Sequence, residues 1–209
     1  MFQTLAVQGD QMFGWFKKNK KEPQKIIYRD KADLFELPPI PEELHQQFRN
    51  LQTETSGYMS EPLRVLKSMY QYMDSYNKFI SSFSVCQRGC NHCCKNDVYI
   101  TSLEAEYIAQ GVNAAPNSIP ENKEMGKVLC PFLGESGECK VYEFRPFNCR
   151  TFHTLDDPKY CETDEDHMIY GSAGHGYGSS ILSKIHDAIK QLNGKHKSDD
   201  IRAFFSKRS

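Results

Sequence analysis

The sequence predicts a mainly α-helical protein, in which a small irregular cysteine-rich domain is flanked by amphipathic helices. Three observations carry that expectation. Apolar residues recur at three- and four-residue spacing from Leu63 to Ile80, and again from Ile181 to Leu192. Between these runs, residues 84–162 hold prolines, charges and turn-forming residues but few long apolar stretches. All eight cysteines of the chain lie in that intervening segment, at positions 86, 90, 93, 94, 130, 139, 149 and 161.

Three regions follow in order. Residues 1–57 read as an extended basic and proline-containing arm. Lys17, Lys18, Lys20, Lys21, Lys25, Arg29 and Lys31 precede Leu37-Pro38-Pro39-Ile40-Pro41, where proline fixes φ and disfavours helix in the residue before it. Residues 58–194 read as the cysteine-cluster domain, and residues 195–209 as a polar tail. Within the domain, Pro62 suits the first turn of a helix that carries Leu66, Met69, Tyr70, Met73 and Ile80. Val98-Tyr99-Ile100 reads as a short strand. Thr101-Ser102-Leu103-Glu104 has the form of a capping box, opening a helix that ends at Gly111. Residues 112–127 are loop-like, and Cys130 to Cys139 read as two sides of a tight turn. Val141 to Phe144 reads as one helical turn, broken at Arg145-Pro146. A last amphipathic helix spans Ser179 to Leu192, with Gly194 as its stop.

Composition narrows the function classes. Charged residues make up 25% and the net charge is −1, so the chain has no general pull toward nucleic acid or anionic membrane. No apolar run reaches the length of a membrane span. The first residues lack a basic segment followed by a continuous apolar one, so no secretory signal is read and a cytoplasmic location is expected. In a reducing compartment, eight cysteines are better explained by metal than by disulfides. Adjacent Cys93 and Cys94 could not both form bridges without unusual geometry.

Cys90-x-x-Cys93 is a pair of the kind that zinc and iron–sulfur sites use, because a short loop clamps two thiolates at little entropic cost. Cys86 lies upstream of it. Cys130, Cys139, Cys149 and Cys161 return at spacings of 9, 10 and 12 and could complete a coordination sphere. Positions 86, 90, 93 and 94 would share one face of a helix, although Gly89 opposes a regular helix there. Neighbouring side chains diverge, so Cys93 and Cys94 could serve different ions or bridge two. Arg88, Lys95, Lys140, Arg145 and Arg150 lie close enough in sequence to offset thiolate charge. His92, His153 and His167 are weighed as ligands and read as surface or supporting residues. The acids around Cys161, from Asp156 to Asp166, read as a solvated loop.

The set Cys86-x3-Cys90-x2-Cys93-Cys94, Cys130-Pro131-Phe132-Leu133, Cys139-x-Val141-Tyr142, Arg145-Pro146, Cys149-Arg150 and Cys161 resembles the YkgJ-like cysteine-cluster family, described as zinc- or iron-chelating CxxCxxCC domains. The resemblance covers about residues 84–162. It implies a metal-chelating domain in which zinc or iron, the latter also as an iron–sulfur cluster, is held by all eight cysteines. Two other function classes stand beside simple metal binding. One is an iron–sulfur enzyme that modifies a protein or small molecule, with the glycine-rich stretch at 171–178 as its substrate loop. The other is a metal-scaffolded adaptor that meets a protein partner through residues 12–31.

Overall fold

The computed structural model describes residues 37–117, 128–163, 165–171 and 176–205. The basic run at 17–31 and positions 172–175 of the glycine-rich stretch lie outside these residues, so the expectations placed on them have no structural counterpart here. The described chain is mainly helical, with a few very short strands around an irregular cysteine-bearing segment.

Helix α1 runs Glu42–Ser56 and opens directly after Pro41. Glu42 and Glu43 in its first turn face the positive end of the helix dipole. It buries only Leu44, Phe48 and Leu51, a single stripe at i, i+4 and i+7. That stripe lies on α2 (Pro62–Ile80), where the Phe48 and Tyr72 rings sit 5.6 Å apart and Tyr72 Oη donates to the Leu44 carbonyl at 3.2 Å. Residues 42–56, expected within an extended arm, are therefore a packed helix. Pro62 starts α2 as expected, and its buried residues include Leu66, Met69, Tyr70, Met73, Tyr76 and Ile80. Each such side chain contributes roughly 1.5–3 kcal/mol when fully buried.

The capping box forms. Strand β1 (Tyr99–Thr101) runs straight into α3 (Ser102–Val112), and Thr101 Oγ1 accepts from Glu104 N while Glu104 accepts from Thr101 N. The left-handed residue that ends α3 is Asn113, at φ 50°, two positions beyond the expected Gly111. Helix α4 (Phe147–Thr151) leads to β2 (His153–Thr154), which pairs antiparallel with β3 (Ile169–Tyr170); β3 in turn pairs parallel with β4 (Gly176–Tyr177). Helix α5 (Ser180–Asn193) is capped by the Ser179 hydroxyl and stops at Gly194. Strand β5 (Ser198–Asp200) then pairs antiparallel with β1, matching Ile100 to Asp199, and runs into α6 (Ile201–Phe205).

Two apolar cores result. The larger joins α1, α2, α5, Phe147 and Leu155; the smaller gathers Ile100, Ala105, Ile108, Val141, Ile201 and Phe204. Residues 195–205, expected within a polar tail, thus close the second core with Ile201 and Phe204. Helix α3 serves both cores: Leu103 faces the first, and Ala105 and Ile108 face the second. At the junction the Glu104 carboxylate, 3% exposed, accepts four bonds. Tyr70 Oη and Phe147 N reach Oε1 at 2.7 Å each, and Thr101 N and Oγ1 reach Oε2 at 2.8 and 2.9 Å. One carboxylate therefore ties α2, β1 and α3 to the start of α4, the helix that carries Cys149.

A candidate metal centre

The first cysteine segment is neither a regular helix nor a plain loop. It turns at Gly89, whose φ of 98° suits a residue without a Cβ, and closes as a short 3-10 turn at His92–Lys95. The stripe of four cysteines on one helical face is therefore broken, and other parts of the chain gather the thiols instead.

Cys86 is held beside β2. Val85 N donates to the Thr154 carbonyl at 3.1 Å, and Thr154 N donates to Cys86 Sγ at 3.2 Å. Cys161 arrives on a second 3-10 turn, Pro158–Glu162, that packs on the first. Asn96 Nδ2 donates to the Cys161 carbonyl at 2.7 Å, and Lys95 pairs with Glu162. His92 Nδ1 lies 3.3 Å from Glu162 Oε2 but, although buried, makes no hydrogen bond.

The later cysteines are tied to the same segment by other contacts. Cys130 N donates to the Cys94 carbonyl at 3.0 Å. The expected tight turn is present: Leu133 bridges Cys139, and Gly134 N donates to the Glu138 carbonyl at 2.8 Å. Gly137 in that turn has φ 86°, and a Cβ there would stand 2.4 Å from Asn91 Nδ2, which donates to the Gly137 carbonyl. The turn is thereby tied to the first cysteine segment. The helical turn expected over 141–144 is Tyr142–Phe144.

The electrostatics follow the same partition. Burial pushes the Cys86 thiol up to about 11, and the charge of Cys90 adds to the rise. Burial likewise pushes Cys161 up to about 12, with Cys86 and Cys90 adding. Cys130 rises to about 11, first through burial and then through Cys94 and Cys139. Cys149 is raised further by burial, with Cys130, Cys94 and Cys139 adding. Cys139 is raised by burial and by Cys94. The Cys94 thiol is raised above all by its bond with the Cys93 thiol, then by burial. Two groups emerge: Cys86, Cys90 and Cys161; and Cys94, Cys130, Cys139 and Cys149. Cys93 stands between them: its thiol raises Cys94, and it lines one cavity with Cys86, Cys90 and Cys149, so that cavity touches both groups.

Cations and backbone N–H groups oppose the rise. Arg145 lowers Cys86, Cys94, Cys139 and Cys149, and Arg202 lowers Cys94 and Cys130. Phe132 N–H and Val141 N–H favour the thiolates of Cys130 and Cys139, each from two residues along the chain. All eight cysteines are free thiols. Their donor chemistry fits zinc or iron, and metal binding would displace their protons. Among the described residues, however, no three Cys, His, Asp or Glu side chains are placed so that they could hold an ion as they stand. Holding an ion would therefore need the thiols to move closer together.

Sequence reasoning missed one supporting residue, Arg202, and the structure gives several of the residues it named a different setting. Arg202, 2% exposed, bonds Asp200 at 3.0 Å and donates to the carbonyls of Val128, Asn96 and Cys94 at 2.6, 3.0 and 3.5 Å. Arg150, expected beside the thiolates, is fully buried; it donates to the carbonyls of Arg145 and Glu143 at 2.7 and 2.6 Å and fixes the loop before Cys149. Asp156, expected in a solvated loop, is fully buried and accepts from Thr154 Oγ1 and Met168 N at 2.6 and 2.8 Å. His167 Nδ1 lies 3.0 Å from the same carboxylate, so His167 supports the Thr154 corner where Cys86 is held. His153 is partly buried and donates from Nε2 to the Arg150 carbonyl at 2.8 Å; desolvation lowers its pKa to about 4. A charge in sequence carries no mark of burial, and only Arg150 sits next to a cysteine.

Residues 85–168 match the family model described as "CxxCxxCC: Putative zinc- or iron-chelating domain". The matched segment begins beside Cys86 and includes all eight cysteines. No curated protein and no solved structure matches the chain. No helix among the described residues is long and apolar enough to cross a membrane.

Proposed function

We propose that this chain is a thiolate metal chelator with two centres, one formed by Cys86, Cys90, Cys93 and Cys161 and the other by Cys94, Cys130, Cys139 and Cys149. The observation that carries this reading is that the partly buried thiols influence one another in two sets, which meet at the Cys93–Cys94 step. Divergent side chains at adjacent positions let one backbone segment serve both centres. Four thiolates suit tetrahedral zinc and equally suit the irons of an iron–sulfur cluster. When bound, such a metal supplies either a structural crosslink or an electron-carrying centre. The protein's part is to hold the thiolates, with Arg145 and Arg202 offsetting their charge and backbone N–H groups oriented toward Cys86, Cys130 and Cys139. A reducing compartment such as the cytoplasm would keep all eight thiols available.

Thiol titration of anaerobically purified, unreduced protein tests the reading. Eight thiols should resist a colorimetric thiol reagent until a chelator is added, and metal should be released in step with them. Colourless protein with zinc would assign a crosslink, and brown protein with iron and sulfide would assign a cluster. Eight thiols reacting freely in protein that carries no metal would overturn it.

A further inference from the structure

Beside the thiols, at the C-terminal end of α2, lies an open cavity of about 320 Å³. Its wall includes Cys86, Cys90, Cys93 and Cys149, and also two guanidinium groups on one phenol ring. Arg145 lies 3.8 Å from the Tyr142 ring centre and Arg88 4.6 Å from it. Arg145 uses its Nε to bond the Tyr142 carbonyl at 3.1 Å, which fixes the plane of the fork. Its two Nη groups make no hydrogen bond or ion pair among the described residues. Arg88 has only an exposed pair with Glu143, at 3.4 Å. Two cations gathered on one ring give that side of the cavity a positive wall that attracts an anion.

We infer that this cavity binds a small carboxylate, held by the free fork of Arg145 and by Arg88 with its body against Tyr142 and Phe152. A fixed guanidinium plane with both Nη groups free matches the two oxygens of a carboxylate. The volume lies at the lower end of small-molecule sites, enough for a compact metabolite and too little for an extended chain. The sulfur-lined wall limits the charge that can enter, because a doubly charged phosphate would meet thiolates when metal is bound. A carboxylate carries one charge and two parallel acceptors. The exclusion of phosphate rests on the proposed metal centre, whose Cys86, Cys90 and Cys93 line the cavity, whereas carboxylate binding rests on the guanidinium pair, so carboxylate binding and metal content are read separately.

Saturation-transfer NMR on the full chain as purified, with metal content recorded, tests this. Benzoate and pyruvate are the probes, benzamide is the neutral control and inorganic phosphate is the competing anion. Both carboxylates should bind saturably, benzamide at least tenfold more weakly, and phosphate should fail to displace them at equal concentration. Arg145→Gln should weaken benzoate at least tenfold. Because Arg145 also faces the thiols, Ser81→Trp provides a second variant. Ser81 lines the cavity from the end of α2 and is exposed, so the indole would fill the space while metal content stays unchanged. Equal binding of benzoate and benzamide, displacement by phosphate, or undiminished binding in Ser81→Trp would each overturn the site.

Discussion

Replacing Glu104 by Gln should destabilise the protein by about 2–4 kcal/mol although it changes one atom. Each carboxylate oxygen accepts two bonds, and both sets of donors are buried. The amide must place its NH2 group at one of the two positions. At Oε1 it faces Tyr70 Oη, which can turn to accept, and Phe147 N, which cannot. At Oε2 it faces the Thr101 hydroxyl, which can turn, and Thr101 N, which cannot. Either way one buried backbone N–H loses its acceptor, at a cost of about 1–3 kcal/mol, and the other bonds lose charge assistance, about another 1 kcal/mol. For a chain of this size that corresponds to a fall of roughly 5–15 °C in Tm. Urea and thermal melts of reduced protein at matched metal content would measure it. Phe147 opens the helix that bears Cys149, so amide exchange at 147–151 should quicken in the same variant. A Glu104→Gln protein within about 0.5 kcal/mol of the parent would refute the four-bond account.

Further outcomes follow from the same contacts. In metal-free protein the raised thiols favour the protonated fold. Their contribution is fully present below about pH 9 and should be lost as pH rises through 11 to 12, the values of Cys86, Cys130 and Cys161; urea midpoints that stay flat from pH 9 to 11 would contradict it. Arg202→Met leaves the Asp200 carboxylate with only the Val98 and Arg202 backbone N–H groups, strands three carbonyls and should cost about 3–5 kcal/mol, read by melts. The same variant should deplete metal from the Cys94, Cys130, Cys139 and Cys149 group first. Deleting residues 1–30 removes no cysteine and should leave the metal-to-protein ratio unchanged on elemental analysis.

How much was legible in the sequence depends on how strongly each element announces itself. Helices α2 and α5 carry wide apolar stripes with Pro62 and Gly194 at their ends, and α3 has its capping box, so these were placed within a few residues. Helix α1 shows only Leu44, Phe48 and Leu51 among polar residues, a stripe too thin to separate from an arm. The β5–α6 pair was hidden because its burial is tertiary. Ile201 and Phe204 sit among charges, and Asp200 and Arg202 look like surface residues until each is seen to satisfy the other. For the site, the cysteines themselves were plain, and so was the possibility that Cys93 and Cys94 face different ways. The grouping of distant thiols was not legible, because it depends on Thr154 reaching Cys86 and on Cys130 pairing with Cys94 through the backbone.

The two-centre claim meets its most direct test in the metal content of two matched variants, purified without oxygen. One replaces Cys86, Cys90 and Cys161 by Ser; the other replaces Cys94, Cys130 and Cys149. If the thiols serve two centres, each variant should keep about half the metal of the parent. If both variants lose all of it while remaining folded, the eight cysteines form one centre and the partition is wrong.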